Sequence, residues 1–278
     1  MSTYIIGDIH GYLNTLERLL IKINFNKETD SLWFTGDLIN GGPQSLETIR
    51  FVKSLSNAIC ILGNHDITLI ACYYNKNLLT NIFNQNNSNK EKLNGIIPVL
   101  EAPDCKELIT WLQQQSLAWF SQEFNLLLVH AGVHPDWDLK KTLILAKELE
   151  TSLKSTNIEL YNYLYGNKPD NWDDNLTSWS RMNCIVNYLT RIRFCKANGQ
   201  LEFFSKGEAL EAPAGYMPWY NVPNRKTKDI TVVFGHWSAL AGKANHPNVI
   251  ALDTGCRWGK QLTAYCLETQ KFFSVENN

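Results

Sequence analysis

No Cys-x-x-Cys pair occurs in the chain, and its seven cysteines are an odd number. That argues against a disulfide framework and favours reduced thiols. Long hydrophobic runs are also missing, and none approaches the ~20 residues a bilayer-spanning helix needs. Charge of one sign is absent: 26 basic against 27 acidic residues leave a net charge of −1. General attraction to nucleic acid or membrane is therefore not expected. A polyphosphate would need a local positive site, which bound metal ions can supply. Met1 leads directly into the first chemical motif, leaving no room for a signal peptide. No internal repeat or domain-length linker is visible, and nothing sets an oligomeric state. A cytoplasmic, membrane-free protein is the expectation.

What is present is a core-forming composition. With 278 residues, 44% hydrophobic and 19% charged, residues 1–278 read as one globular domain with an insertion. Five short apolar runs each stop at a potential metal ligand. Tyr4–Ile6 ends in Gly7-Asp8-Ile9-His10-Gly11, and Leu32–Phe34 in Gly36-Asp37. Ile59–Leu62 ends in Gly63-Asn64-His65-Asp66, Leu126–Val129 in His130-Ala131-Gly132, and Val232–Phe234 in Gly235-His236. Runs of this length read as buried strands, and α/β folds gather ligands beyond the carboxyl ends of their strands.

Between the strands, helical spacing recurs at Leu13, Leu16, Leu19, Leu20 and Ile23, after Pro43, from Asp66 to Ile70, and from Cys105 to Gln115. Strand and helix alternate, so the fold class is α/β. Asn75–Asn94 is Asn- and Lys-rich and reads as an exposed loop or helix end. Residues 137–188 lack a strand pattern and read as a helical cap insertion over the site. From Arg191 strands return, with a hairpin signal at Asn198-Gly199.

Asp8 and His10, two apart in extended chain, point the same way, and flanking Gly7 and Gly11 permit tight turns. Carboxylate oxygen with imidazole nitrogen suits divalent transition metals. Asp37 can bridge two ions, and Asn64, His130 and His236 complete a second shell. Ions ~3.5–4 Å apart clamp a phosphoryl group and acidify a shared water. Any one of these residues could instead cap a helix or sit in the core; all six at strand ends point to metal.

In this order the motifs resemble the binuclear metallophosphatases of the phosphoprotein phosphatase type. Leu100–Asp104, Tyr165-Gly166, Asn171-Trp172, Thr190–Cys195, Asn198–Leu201, Glu211–Pro213, Phe234–Trp237 and Ala251–Cys256 carry the resemblance nearly end to end. They bring it closest to the symmetrical dinucleoside tetraphosphatase family. The resemblance implies a calcineurin-like β-sandwich flanked by helices. It implies one ion on Asp8, His10 and Asp37 and another on Asp37, Asn64, His130 and His236, typically Mn²⁺ or Co²⁺. The implied activity is symmetrical cleavage of diadenosine tetraphosphate to two ADP by a hydroxide between the ions, extending to Np₄ caps on RNA. A protein Ser/Thr phosphatase and a non-catalytic nucleotide-binding protein are the competing readings.

His65 is the expected proton donor to the departing diphosphate, with Asp66 helping to orient it. Asn40 stands where related protein phosphatases carry an Asp. Gly41 stands where the family reads Arg, which implies either weaker substrate binding or compensation by another cation, for which Arg181, Arg191 and Arg193 are the candidates. Trp237 and Trp258 are candidate stacking faces for adenine. Cys256 reads as a small core residue, and His134 and His246 as surface residues.

Overall fold

In the computed structural model, residues 1–78, 95–155, 158–164 and 166–278 are described. Two sheets form the body. The first has the order β12-β11-β1-β2-β3 and the second β10-β9-β5-β4. Their strands are β1 Thr3–Ile6, β2 Ser31–Phe34, β3 Ala58–Cys60, β4 Ala118–Ser121, β5 Leu126–Val129, β9 Thr231–Phe234, β10 Val249–Ala251, β11 Gln261–Cys266 and β12 Lys271–Glu276. A small third sheet joins β6 Phe194–Cys195 to β7 Leu201–Glu202 and β8 Met217–Pro218. The β6–β7 hairpin turns through Asn198-Gly199, where Gly199 has φ +88°.

The continuous apolar runs are explained by burial on both faces. Ile5, Trp33, Leu126, Leu128 and Val233 meet between the two sheets. Their alternating neighbours Ile6, Phe34, Leu127, Val129, Val232 and Phe234 face the larger core beneath the helices. The expected sandwich flanked by helices is present. Helix α1 (Leu13–Lys22) buries Leu16 and Leu19, helix α2 is Ser45–Lys53, and helix α3 runs Asn64–Tyr74.

Topology positions the site. Strands β1, β2 and β3 are parallel neighbours, as are β5, β9 and β10. Their carboxyl ends leave both sheets on one side of the molecule, and the ligand motifs follow those ends.

The 137–188 region contains helices Leu139–Lys154, Ile158–Tyr163 and Ser178–Arg191. From this half of the chain, cleft-lining side chains begin where the last helix ends, with Arg191, Arg193, Phe203 and Lys206. Residues 79–94, most of the Asn-rich stretch, lie outside the described residues. All seven cysteines are unpaired and buried. Among the described residues, no helix is long and apolar enough to cross a membrane.

Candidate metal centre

Three expected ligand positions carry backbone that L-residues adopt rarely. His10, Asp37 and His236 have φ of +52°, +50° and +60°, and Asn40 beside them +73°. Such conformations persist only where surrounding structure holds them, and they cluster at functional sites. Gly63 belongs to the same device. A Cβ there would stand 2.1 Å from Asp37 Oδ1, so only glycine lets the start of α3 approach that carboxylate.

Asp37 is the hub. Its Oδ2 lies 3.6 Å from His10 Nε2 and 3.5 Å from His130 Nε2. Its Oδ1 accepts the His65 backbone N–H at 2.8 Å. Two groups of ligand atoms converge within 4.8 Å and share Asp37: His10, Asp37 and His65 on one side, Asp37, His130 and His236 on the other. Asn64 Oδ1 is 3.2 Å from His130 Nε2, adjoining the second group. Asp8 is buried beside them, its Oδ1 accepting from Thr35 Oγ1 and its Oδ2 from the His236 N–H at 2.7 Å. Each of its oxygens keeps a second lone pair.

Three observations test whether these residues fit divalent cations. His130 Nδ1 donates to Thr35 O at 2.8 Å and His10 Nδ1 lies 3.3 Å from Ile39 O. Each ring therefore turns its Nε2 toward the Asp37 carboxylate, the second-sphere arrangement usual for a metal-bound histidine. His236 Nε2 is buried with no hydrogen-bond partner. Burial drives the pKa of His10 down to about 4 and that of His236 well below its usual range, so both offer lone pairs. Burial also opposes charge on His130, yet neighbouring Asp37 lifts it to about 10. Asp37, despite its burial, is held well below the usual carboxylate range by His130 and His65. A strong negative field focused on one carboxylate, ringed by nitrogen and oxygen donors, fits two cations.

His65 falls within the first group and also lines the cleft. Its Nε2 is 3.0 Å from Arg257 Nη1 and 3.9 Å from Asp37 Oδ2, so its lone pair is already engaged. Its Nδ1 meets the Asn40 amide at 2.7 Å. Burial lowers its pKa to about 3.

Asp66 does not orient His65, contrary to expectation. It is fully buried and accepts backbone N–H groups from Asp37 (2.8 Å), Leu38 (3.0 Å) and Gly63 (3.0 Å). All three of its hydrogen bonds go to backbone, so it ties the Asp37 loop to the start of α3 instead. Burial, then the Asp37 charge, raises its pKa to about 7.

A cleft of about 510 Å³ opens over the centre, lined by Arg191, Arg193, Phe203, Arg257 and Trp258 among others. Arg193 donates to His236 O at 3.3 Å. Arg191 lies over the Phe203 ring at 4.7 Å and bonds Asn187 and Asn167. Arg181 is elsewhere: a bidentate pair with Glu148 at 2.7 and 2.9 Å and a Trp172 ring under it commit its guanidinium. Trp237 is likewise corrected. It is 1% exposed, packs on Phe194 and donates to Gly207 O, so it offers no face to a base. Trp258, 65% exposed, does. His134 is buried against Trp137 and Tyr188, not on the surface, and His246 is half-buried.

Two cleft-lining residues escaped sequence reasoning. Asp253 follows β10 and lines the cleft; burial raises its pKa to about 6. Its signal was available, because Val249–Leu252 is a sixth apolar run ending at a carboxylate. Arg257 had no comparable signal.

Comparison with known proteins agrees with this geometry. Residues 1–156 match the family described as calcineurin-like phosphoesterase. The symmetrical bis(5′-nucleosyl)-tetraphosphatase of Marinomonas sp. (strain MWYL1) is 45% identical over 277 residues, covering 99% of this chain and 97% of that protein. Its namesake from Cellvibrio japonicus is 46% identical over 97% of this chain and 96% of its own length. A crystal structure of a chain proposed to be a diadenosine tetraphosphatase superposes with a TM-score of 0.65 at 24% identity, covering 100% and 94% of the two chains. That last likeness bears on the fold alone.

Proposed function

This chain belongs to the calcineurin-like phosphoesterases, and within them to the symmetrical bis(5′-nucleosyl)-tetraphosphatases, and we propose that it cuts diadenosine tetraphosphate at its central anhydride into two ADP. The observation that carries this reading is the sharing of Asp37 between two converging ligand groups beneath a cleft lined by three arginines.

His10, Asp37, Asn64, His130 and His236, with Asp8, would hold two divalent cations, Mn²⁺ or Co²⁺. When bound, such ions supply Lewis acidity and a water acidic enough to attack phosphorus at neutral pH. The chain's own residues do the rest. Arg191 and Arg193 hold phosphate oxygens on the cleft wall, with the forked geometry that suits phosphate. The N-terminus of α3 turns its positive end to the same region. His65, on that first turn, delivers a proton to the oxygen of the departing diphosphate. Phe203 and Trp258 offer ring faces for adenine.

A tetraphosphate carried on an RNA 5′ end presents the same reacting group, so Np₄-capped RNA is proposed as a second substrate. The seven buried, unpaired thiols support a reducing, cytoplasmic setting. Incubation of purified protein with Mn²⁺ and diadenosine tetraphosphate, followed by nucleotide separation, tests the reading. ADP as sole product is expected. AMP with ATP would overturn symmetrical cleavage, and no turnover would overturn the hydrolase itself. A phosphopeptide control distinguishes a protein phosphatase.

A further inference from the structure

Arg257 reaches the cleft from the turn Cys256–Trp258, held between Gly255 at φ +84° and Gly259 at φ +69°. The turn is anchored on both sides. Asn277 Nδ2 donates to Cys256 O at 2.7 Å, and Asp253 Oδ1 accepts the Gly255 N–H at 3.0 Å. The Arg257 stem runs beside Gly41: a Cβ at 41 would stand 3.1 Å from Arg257 Cγ and 2.9 Å from His10 Cβ. The guanidinium ends 3.0 Å from His65 Nε2.

That partner is unusual. An arginine N–H can only donate, so Nε2 of His65 is the acceptor of that bond and the ring brings no negative charge to it. Among the described residues, no carboxylate forms an ion pair with Arg257, whereas Arg181 is bound to Glu148. A half-buried guanidinium whose hydrogen-bond partner is an imidazole has lost part of its hydration, with only the more distant charges of Asp37 and Asp253 to offset that loss. A phosphate oxygen would supply one, in the bidentate geometry guanidinium favours.

We propose that Arg257 is the principal phosphate-binding cation of this cleft, resting on His65 between turnovers, and that Gly41 is glycine because the Arg257 stem and His10 together occupy its side-chain space. The proposal rests on the hydrolase reading above and names the residue that grips the substrate. It also couples binding to chemistry. Nε2 cannot accept from Arg257 and face the leaving oxygen at once. A substrate phosphate that draws the guanidinium away frees the Nε2 lone pair to take up the proton released by the attacking water, which it then passes to the leaving oxygen.

The test measures kcat and KM for diadenosine tetraphosphate, and Kd for ADP by calorimetry, both with Mn²⁺. Arg257→Ala is expected to raise KM and the ADP Kd at least ~10-fold, with Arg257→Lys intermediate, because lysine keeps the charge but not the fork. If Arg257→Ala fails to fold, Arg257→Gln is measured in its place. The same substitution in a His65→Ala background separates direct contact from action through the imidazole. A further ~10-fold loss of ADP affinity there supports direct contact, and no further loss overturns it. Gly41→Ala should weaken ADP binding in the native background and much less beside Arg257→Ala. Equal losses in both would overturn the Gly41 half. Native KM and Kd in Arg257→Ala would overturn the proposal while leaving the hydrolase intact. A native protein inert on the dinucleotide, whose ADP binding still depends on Arg257, would do the converse, overturning the hydrolase and supporting the Arg257 contact.

Discussion

Asn40 and His65 meet side chain to side chain at 2.7 Å. With Arg257 donating to the other ring nitrogen, the His65 proton sits on Nδ1; the Asn40 Nδ2 faces it while Oδ1 is buried without a partner, so turning the amide over makes Oδ1 the matching acceptor. The amide fixes the ring's tautomer and orientation without adding charge. Asn40→Asp would add that charge and favour the imidazolium. If His65 is the proton donor, its protonated form then survives to higher pH, and the alkaline limb of the kcat profile moves upward. Asn40→Ala should lower kcat about 10-fold, within the range for a misplaced acid. A pH–rate series on both variants checks this, and superimposable profiles would remove the role.

Asp66 acts on stability and assembly. Asp66→Ala leaves three buried backbone N–H groups without acceptors, at about 1–3 kcal/mol each where water does not replace the carboxylate. A drop in unfolding free energy of roughly 3–5 kcal/mol is expected, with weakened metal retention. Chemical denaturation together with metal analysis reads both.

Asp37 lies in both ligand groups, so Asp37→Asn should lower the stoichiometry at both positions at once. Partners in the outer sphere typically cost roughly 10–100-fold in affinity, and a shared ligand should cost more. Elemental analysis of the variant against native protein decides it. Full occupancy in Asp37→Asn would contradict the shared-ligand geometry.

His134 gives the fold a pH dependence of its own. Its Nδ1 accepts the Asp136 N–H at 3.0 Å, and burial lowers its pKa to about 4, although Asp136 raises it in part. The folded pKa lies below the unfolded value of 6.5, so between the two the unfolded chain binds more protons. Stability is present above about pH 6.5 and is lost as pH falls toward about 4, by up to about 3 kcal/mol. Urea midpoints of native protein and His134→Phe across this window should diverge, the variant falling less steeply.

Trp258 stands exposed at the cleft rim under Arg257, whose guanidinium carbon is 5.4 Å from the ring. Stacking is worth about 1–3 kcal/mol per base. Trp258→Ala should therefore raise KM for the dinucleotide about 5- to 100-fold and leave Tm unchanged. An unaltered KM would assign adenine to another surface.

The candidate metal ligands were legible because they obey a local rule: a buried apolar strand, then a donor, marked by a glycine just before it at Asp8, Asp37, Asn64 and His236 and by a histidine at His130. Asp253 follows a similar run, but that run ends in a carboxylate without the glycine or a histidine to mark it. Side chains whose roles depend on distant partners were not legible. Arg181 carries the same charge as Arg193, and only the fold brings Glu148, 33 residues away, against it. Trp237 follows a ligand histidine in sequence, yet the strand end turns it inward onto Phe194. Asp66 adjoins His65, but the first helical turn aims it at the Asp37 loop instead. Arg257 lies 216 positions beyond Gly41, so its use of that space is a property of packing alone.

The ligands are divided between the halves of the sandwich: His10, Asp37 and Asn64 leave the first sheet, His130 and His236 the second. Cations held across that seam would act as rivets. Stripping them and prising the two layers apart would then become one event, and resistance to heat should track ion concentration. Neither half, expressed by itself, carries a complete socket for both ions. Two co-expressed fragments would then find each other best in a metal-replete cell.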